Sequence, residues 1–215
     1  CGNILIMTYR ELLRLEIDVL KEIYPSGQPV LDVTKLSKLD VNQFYGIEIE
    51  EFSARIAETA MWMMDHIMNN ELSLAFGQNY ARIPLKKSAS ILSRDALETD
   101  WTELLPPEKC SYLLGNPPFS GAKTQDDKQR AQVREIARLG GSGGTLDYVA
   151  AWFLKAGAYV QPQACNAHIA FVATNSITQG EQVAQLWPIL FSRYGLESSF
   201  AHRTFAWGSD AKGKA

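Results

Sequence analysis

The chain has 215 residues, 46% of them hydrophobic, with a formal net charge of −3 and a pI of about 5.7. That is enough material for one large domain with a sizeable core. The acidic balance argues against a free-standing nucleic-acid-binding module, which would be basic, but leaves room for an enzyme that grips nucleic acid mainly elsewhere. Cys1, Cys110 and Cys165 are scattered without metal spacing and read as reduced thiols, and His66, His168 and His202 are equally dispersed, so no metal site is expected. With no apolar run of membrane-spanning length and no charged-then-apolar leader, the sequence reads as soluble and cytoplasmic.

Taken in order, Cys1-Gly2-Asn3 runs directly into a helix on which Ile6, Tyr9, Leu13, Ile17, Leu20 and Tyr24 recur at spacings of three and four. Pro25-Ser26-Gly27 should end it, and a loop with a short apolar element, Val30 to Leu39, follows. Gln43 to Ile49 is rich in aromatic and β-branched residues and predicts a strand. From Glu51 a second helix carries Phe52, Ile56, Ala60, Met63 and Ile67 on one face and Ala57, Met61, Met64 and Met68 on the next, which predicts broad burial with methionines packing the core. Leu72 to Pro84 reads as irregular, Ser90 to Leu92 as a strand, and Trp101 to Leu105 as a connector before Pro106-Pro107.

Tyr112 to Leu114 is a buried strand, then Ser120 to Arg138 is polar, with Lys123, Lys128, Arg130, Arg134 and Arg138. Of these, Lys123, Lys128 and Arg130 suit phosphate contacts or a solvated face. Gly140-Gly141-Ser142-Gly143-Gly144 is a linker or loop, and Thr145 can cap a helix over Leu146 to Val160. His168 to Thr174 is a strand, Glu181 to Tyr194 a helix, and Ser198 to Phe205 a strand. Alternating strands and helices predict an α/β fold with a parallel sheet.

Three strands end in polar chemistry. Tyr45-Gly46-Ile47-Glu48 sets a carboxylate at a strand tip, where it suits ribose hydroxyls or simply opens the next helix in solvent. Asp95, after Ile91-Leu92-Ser93-Arg94, is a second tip acid or a turn residue. Asn116-Pro117-Pro118-Phe119 is the most specific of the three. Its prolines forbid further ladder donation and leave a carboxamide, free carbonyls and a ring at the strand's end, an arrangement suited to gripping and stacking a planar amine. Thr174-Asn175-Ser176 ends another strand and reads as a pocket element or a capping cluster.

Asn116-Pro117-Pro118-Phe119 resembles the catalytic motif of S-adenosylmethionine-dependent DNA methyltransferases of the adenine-N6 type. Cys1-Gly2-Asn3 is similar to the tail of their cofactor motif, and the segments at 44–50, 171–177 and 201–207 match as well. The nearest branch is that of large bacterial proteins fusing restriction endonuclease, methyltransferase and target recognition in one chain, the type IIG-like restriction–modification enzymes. The resemblance implies a Rossmann-like class I methyltransferase sheet with helices on both faces. It also implies that 1–215 is a partial catalytic domain, a fragment lacking its first strand, its C-terminal end, and any target-recognition or nuclease domain. Ile4 stands where the family has phenylalanine.

By the same resemblance, Asn116, Pro117, Pro118 and Phe119 are catalytic. Gly2, Asn3, Glu48, Asp95 and Asn116 bind S-adenosylmethionine; Phe119, Asn175 and Lys123 meet the substrate; Asp147 and Tyr148 begin the family's next motif. The implied partner is double-stranded DNA, gripped chiefly by the recognition domain, with the target adenine flipped out. The rival readings are methylation of RNA guanine or a protein glutamine amide, and a catalytically silent module serving assembly.

Overall fold

The chain divides into two units, Cys1–Cys110 and Ser111–Ala215. The computed structural model describes residues 2–24, 36–77, 88–139, 145–161 and 166–202. It is mixed α/β with small parallel sheets. The expected 140–144 linker, the 30–35 part of the first loop, residues 78–84 and 203–205, and Cys1 and Cys165 lie outside the described residues.

In the first unit, α1 (Asn3–Ile23) buries Tyr9, Leu13, Ile17 and Leu20, one side of the predicted amphipathic pattern. It packs on α2 (Glu51–Ala75), joining Met61, Met68 and Leu72 in one cluster with Val41 and Phe44. β1 (Tyr45–Glu48) and β2 (Ser90–Ser93) pair in parallel, Tyr45 opposite Ser90 and Glu48 opposite Ser93. The strand predicted over 43–49 is shorter because Val41–Gln43 forms a 3₁₀ turn, fixed by reciprocal bonds between Asp40 and Gln43. Glu16 holds the chain before this turn, accepting from the Ser37 hydroxyl and the Lys38 amide, both at 2.6 Å.

The burial predicted for α2 is corrected. The Ala54, Ala57, Met61, Met68 and Leu72 face is buried, whereas Phe52, Ile56, Met63 and Ile67 are exposed, Phe52 at 78%. On the buried face the chain entering α1 comes close: a Cβ on Gly2 would lie 2.7 Å from the Ala57 Cβ. The helix also continues to Ala75, through residues expected to be irregular. The connector beyond β2 holds a short helix, α3 (Trp101–Leu104), capped by the Asp100 side chain accepting from the Thr102 amide.

In the second unit, β3 (Tyr112–Gly115) and β4 (His168–Phe171) pair in parallel, Gly115 opposite Phe171. β4 starts where predicted but stops before Thr174. Within the polar segment lies an unforeseen helix, α4 (Asp127–Ala137), opened by an Asp126–Gln129 capping box and burying Gln132, Val133 and Ala137. The helix predicted from Leu146 instead begins at Ala150, as α5 (Ala150–Val160), and Thr145 is not its cap. The Thr145 hydroxyl donates to Gln185, and residues 145–148 are engaged by glutamines from other elements.

The helix predicted over 181–194 is α6 (Gly180–Pro188) followed by a π turn, Ile189–Arg193, closed by the Tyr194 amide donating to the Ile189 carbonyl at 3.2 Å. The Tyr194 ring lies across Gly157 of α5, where a Cβ would come within 2.5 Å of it. Residues 198–202 are not a strand, so that expectation fails over its described part.

The polar contact inside the first unit's core is between α1 and α2. Tyr9 donates its hydroxyl to Asp65 Oδ1 at 2.6 Å, and Asn69 Nδ2 donates to the same oxygen at 2.8 Å, with Asp65 only 5% exposed. Burial, then the hydrogen bond to Asp65, pushes the Tyr9 phenol above its ordinary value. Tyr9→Phe is expected to cost about 2 kcal/mol in urea unfolding, since it withdraws a donor from a buried carboxylate. A folded pKa above the unfolded one means that this contribution is complete below about pH 10 and is lost as pH rises further. The difference in stability between wild type and Tyr9→Phe should therefore shrink above pH 10.

Candidate functional site

Chain direction in parallel strands gathers all strand ends of one kind together. In the second unit, β3 leaves the sheet at Gly115, whose carbonyl accepts from the Val172 amide at 3.0 Å. A Cβ on Gly115 would sit 3.0 Å from the Phe171 ring, and that ring is held edge-on against Phe153 at 5.1 Å between centroids. Glycine thus lets an aromatic side chain cross the strand's last residue. The chain then meets Pro117 and Pro118, which have no N–H and a fixed φ, so the ladder cannot continue.

Along the resulting loop Pro117 is buried while Asn116, Pro118 and Phe119 are exposed, Phe119 at 45%. Among the described residues the Asn116 carboxamide has no hydrogen-bond partner and the Phe119 ring has no stacking partner. An available acceptor and an available ring are therefore presented on a stiff backbone.

Asp147 and Tyr148 pack behind this loop. Asp147 Oδ1 accepts from the Ala122 amide at 2.9 Å, and the Tyr148 amide donates to the Ser120 carbonyl at 2.8 Å. Gln125, buried to 4% exposure, donates to the Leu146 carbonyl at 2.8 Å. Gln125 was not identified from the sequence; a glutamine in a polar segment gives no signal of burial there. Lys123 is exposed on the turn between these anchors.

Asn175 opens a 3₁₀ turn, Asn175–Thr178, beyond β4, and is exposed. The Thr174 and Ser176 hydroxyls bond each other at 2.6 Å, and Thr178 donates to the Asn175 carbonyl at 2.8 Å. Because β3 and β4 are parallel and paired, Asn175 follows the same end of the sheet as Asn116.

In the first unit, Glu48 and Asp95 follow the same end of the β1–β2 pair. Glu48 is half-buried, with Oε1 3.5 Å from the Glu50 amide. Asp95 is also half-buried and does serve as a turn residue: Oδ1 accepts from the Leu97 amide at 2.9 Å, and its carbonyl accepts the Thr99 hydroxyl at 2.7 Å. The Trp101 indole donates to the Ala96 carbonyl at 2.8 Å, securing the same turn. Gly2 takes a left-handed conformation, φ +73°, immediately before Asn3 begins α1. The structure thus groups Glu48 with Asp95 in one unit, and Asn116, Phe119 and Asn175 in the other.

Gly115→Ala is expected to destabilise the chain by about 1–2 kcal/mol, as overpacking against a held ring does. Urea unfolding of the single variants and of Gly115→Ala with Phe171→Leu should give a coupling of at least about 0.5 kcal/mol, because the two positions share one space.

Residues 1–215 match the family model described as MmeI, DNA-methyltransferase domain. The chain is 38% identical over 218 residues to DNA methyltransferase A of Bacillus subtilis (strain 168), a match spanning 100% of this chain and 24% of that protein. It is also similar to the structure of the Type IIL restriction-modification enzyme MmeI in complex with DNA. There the TM-score is 0.90 and the identity 51%, over 99% of this chain and 28% of that one. The chain spans about a quarter of the length of these relatives.

Proposed function

As this chain belongs to the MmeI DNA-methyltransferase domain family, we propose that residues 1–215 are catalytic-domain sequence for methyl transfer from S-adenosylmethionine to the N6 amino group of adenine in double-stranded DNA, within a restriction–modification protein. The observation that carries this reading is the loop at the end of β3. Asn116 offers an unengaged carboxamide and Phe119 an exposed ring, on a backbone stiffened by Pro117 and Pro118. That MmeI was solved in complex with DNA supports DNA as the partner.

Adenine N6 is a poor nucleophile because its lone pair is delocalised into the ring. Asn116 Oδ1 accepts one amino hydrogen and the Pro117 carbonyl the other, which favours a more tetrahedral nitrogen with an available lone pair. The Pro117 carbonyl is held by the stiff proline backbone, so it needs little reorganisation as charge develops on the amine, and among the described residues the Asn116 carboxamide has no competing partner to give up. Phe119 stacks on the base, a contact of roughly 1–3 kcal/mol. A base within the duplex cannot reach such a loop, so it is turned out of the helix. Asn175 adds a polar group on the substrate side, and Lys123 is free to meet a phosphate.

The residues of the first unit fit a nucleoside-bearing cofactor. Glu48 and Asp95 are half-buried acceptors at one end of one sheet, and a carboxylate accommodates several donors at once, so Asp95 can serve both its turn and an amino group. Glu48 would hold the ribose hydroxyls, Asp95 the adenine amino group, and Gly2 and Asn3 the methionine end. When bound, S-adenosylmethionine supplies an electrophilic methyl group.

In the protein that carries this chain, Asn116→Ala is expected to lower kcat for adenine methylation roughly 100- to 1,000-fold. Its affinity for S-adenosylmethionine, measured by calorimetry, should fall far less than kcat, because Gly2, Asn3, Glu48 and Asp95 remain to hold the cofactor. Undiminished methyl transfer would overturn the assignment. Glu48→Ala should do the reverse, weakening cofactor affinity about tenfold, the loss of one charge-assisted hydrogen bond.

A further inference from the structure

The loop that carries Asn116 and Phe119 is stiff at its front and has no secondary structure of its own behind, until α4 begins at Asp127. Pro117 and Pro118 lack N–H groups, so the first backbone donor that can tie the loop's far side lies beyond them. Ala122 provides it. Its amide donates to Asp147 Oδ1 at 2.9 Å, an acceptor of the strong, charged kind. A Cβ on Gly121 would lie 3.7 Å from the same carboxylate oxygen, so the chain passes close beside it.

Asp147 is itself fixed from behind. Its amide donates to Gln182 Oε1 at 3.1 Å, and Gln182 Nε2 donates to the Thr145 carbonyl at 2.7 Å, so one side chain of α6 spans the segment before α5. The next residue, Tyr148, donates its hydroxyl to the buried Gln132 of α4 at 2.7 Å and its amide to the Ser120 carbonyl. The carboxylate therefore joins the loop to a frame built from three helices. α6 begins two residues after the turn that carries Asn175, and the Trp187 indole donates to Ile177 of that turn at 2.7 Å. One helix thus steadies both strand-end loops.

We infer that Asp147 is a positioning residue for the loop at 116–119. It acts through the Ala122 amide to hold Asn116 and Phe119 at a set distance from the base. The inference rests on the methyl-transfer reading for its consequence, but the tether itself does not. A displacement of about 1 Å at a reacting group is enough to cost around 100-fold in rate.

Amide hydrogen exchange on the intact protein tests the tether without turnover. The Ala122 amide should be protected in wild type and exchange at least about tenfold faster in Asp147→Ala, while amides of α4, α5 and α6 keep their protection. Asp147→Asn, which retains an acceptor oxygen, should restore protection. In methylation assays Asp147→Ala should lower kcat about 10- to 100-fold with unchanged affinity for S-adenosylmethionine, and Asp147→Asn should recover most of it. Unchanged exchange at Ala122 would overturn the inference. So would uniform loss of protection through the three helices, which would make Asp147 a general stabiliser. If Asn116→Ala proves fully active, the methyl-acceptor reading fails separately, and exchange at Ala122 still decides the tether.

Discussion

Parallel pairing is the constraint on which both units depend. A parallel pair requires a crossover between its strands, and it brings their C-terminal ends to the same edge. In the first unit that edge carries Glu48 and Asp95, in the second Asn116 and Asn175. The polar groups are not brought together by attraction for one another. They meet because apolar strands were paired in one direction, and because each strand stops where its sequence withdraws support for the ladder. At Asn116 the withdrawal is complete, since two prolines in succession remove the donors on which continuation relies.

Polar side chains then do by hydrogen bonding what the short sheets cannot do by themselves. Each strand has only four residues, so a loop leaving its tip receives little guidance from the ladder. Asp95 organises its own turn, while the β3 loop is held from the opposite side by Asp147, Gln125 and Gln182. Burying glutamines such as Gln125 and Gln132 is tolerable because each meets a partner on a neighbouring element. The result is a chemically exposed tip on a well-secured base.

Much of this was legible in the sequence where one signal had no rival. The apolar spacing of α1 has a single solution, and Asn116 to Phe119 is too unusual after an apolar run to be read as an ordinary turn. The failures come from competing signals. α2 has two apolar faces at helical spacing, and periodicity alone does not say which of them meets α1. α4 was hidden by its polarity, although Asp126 and Gln129 carry the spacing of a capping box. Thr145 has the right chemistry for a helix cap but was claimed by Gln185, a partner 40 positions away that no local pattern reveals. The positions of the tip residues were thus readable; of the groups that secure the loop, Asp147 and Tyr148 stood out only by resemblance, and Gln125, Gln132 and Gln182 not at all.

The π turn after Pro188 bears on how this region can change length. A π turn accommodates one more residue than an α-helical turn over the same backbone path. Here the surplus coincides with a proline that cannot donate and ends with Tyr194 lying on Gly157. Removing a single residue from 189–193 would tighten the turn into α-helix and swing Tyr194 through about 100° around the axis, one residue's share of a helical turn, away from the only glycine of α5. Substitutions can be absorbed there one side chain at a time, whereas a one-residue deletion alters the phase of everything that follows. In this segment geometry constrains the number of residues more tightly than their identity.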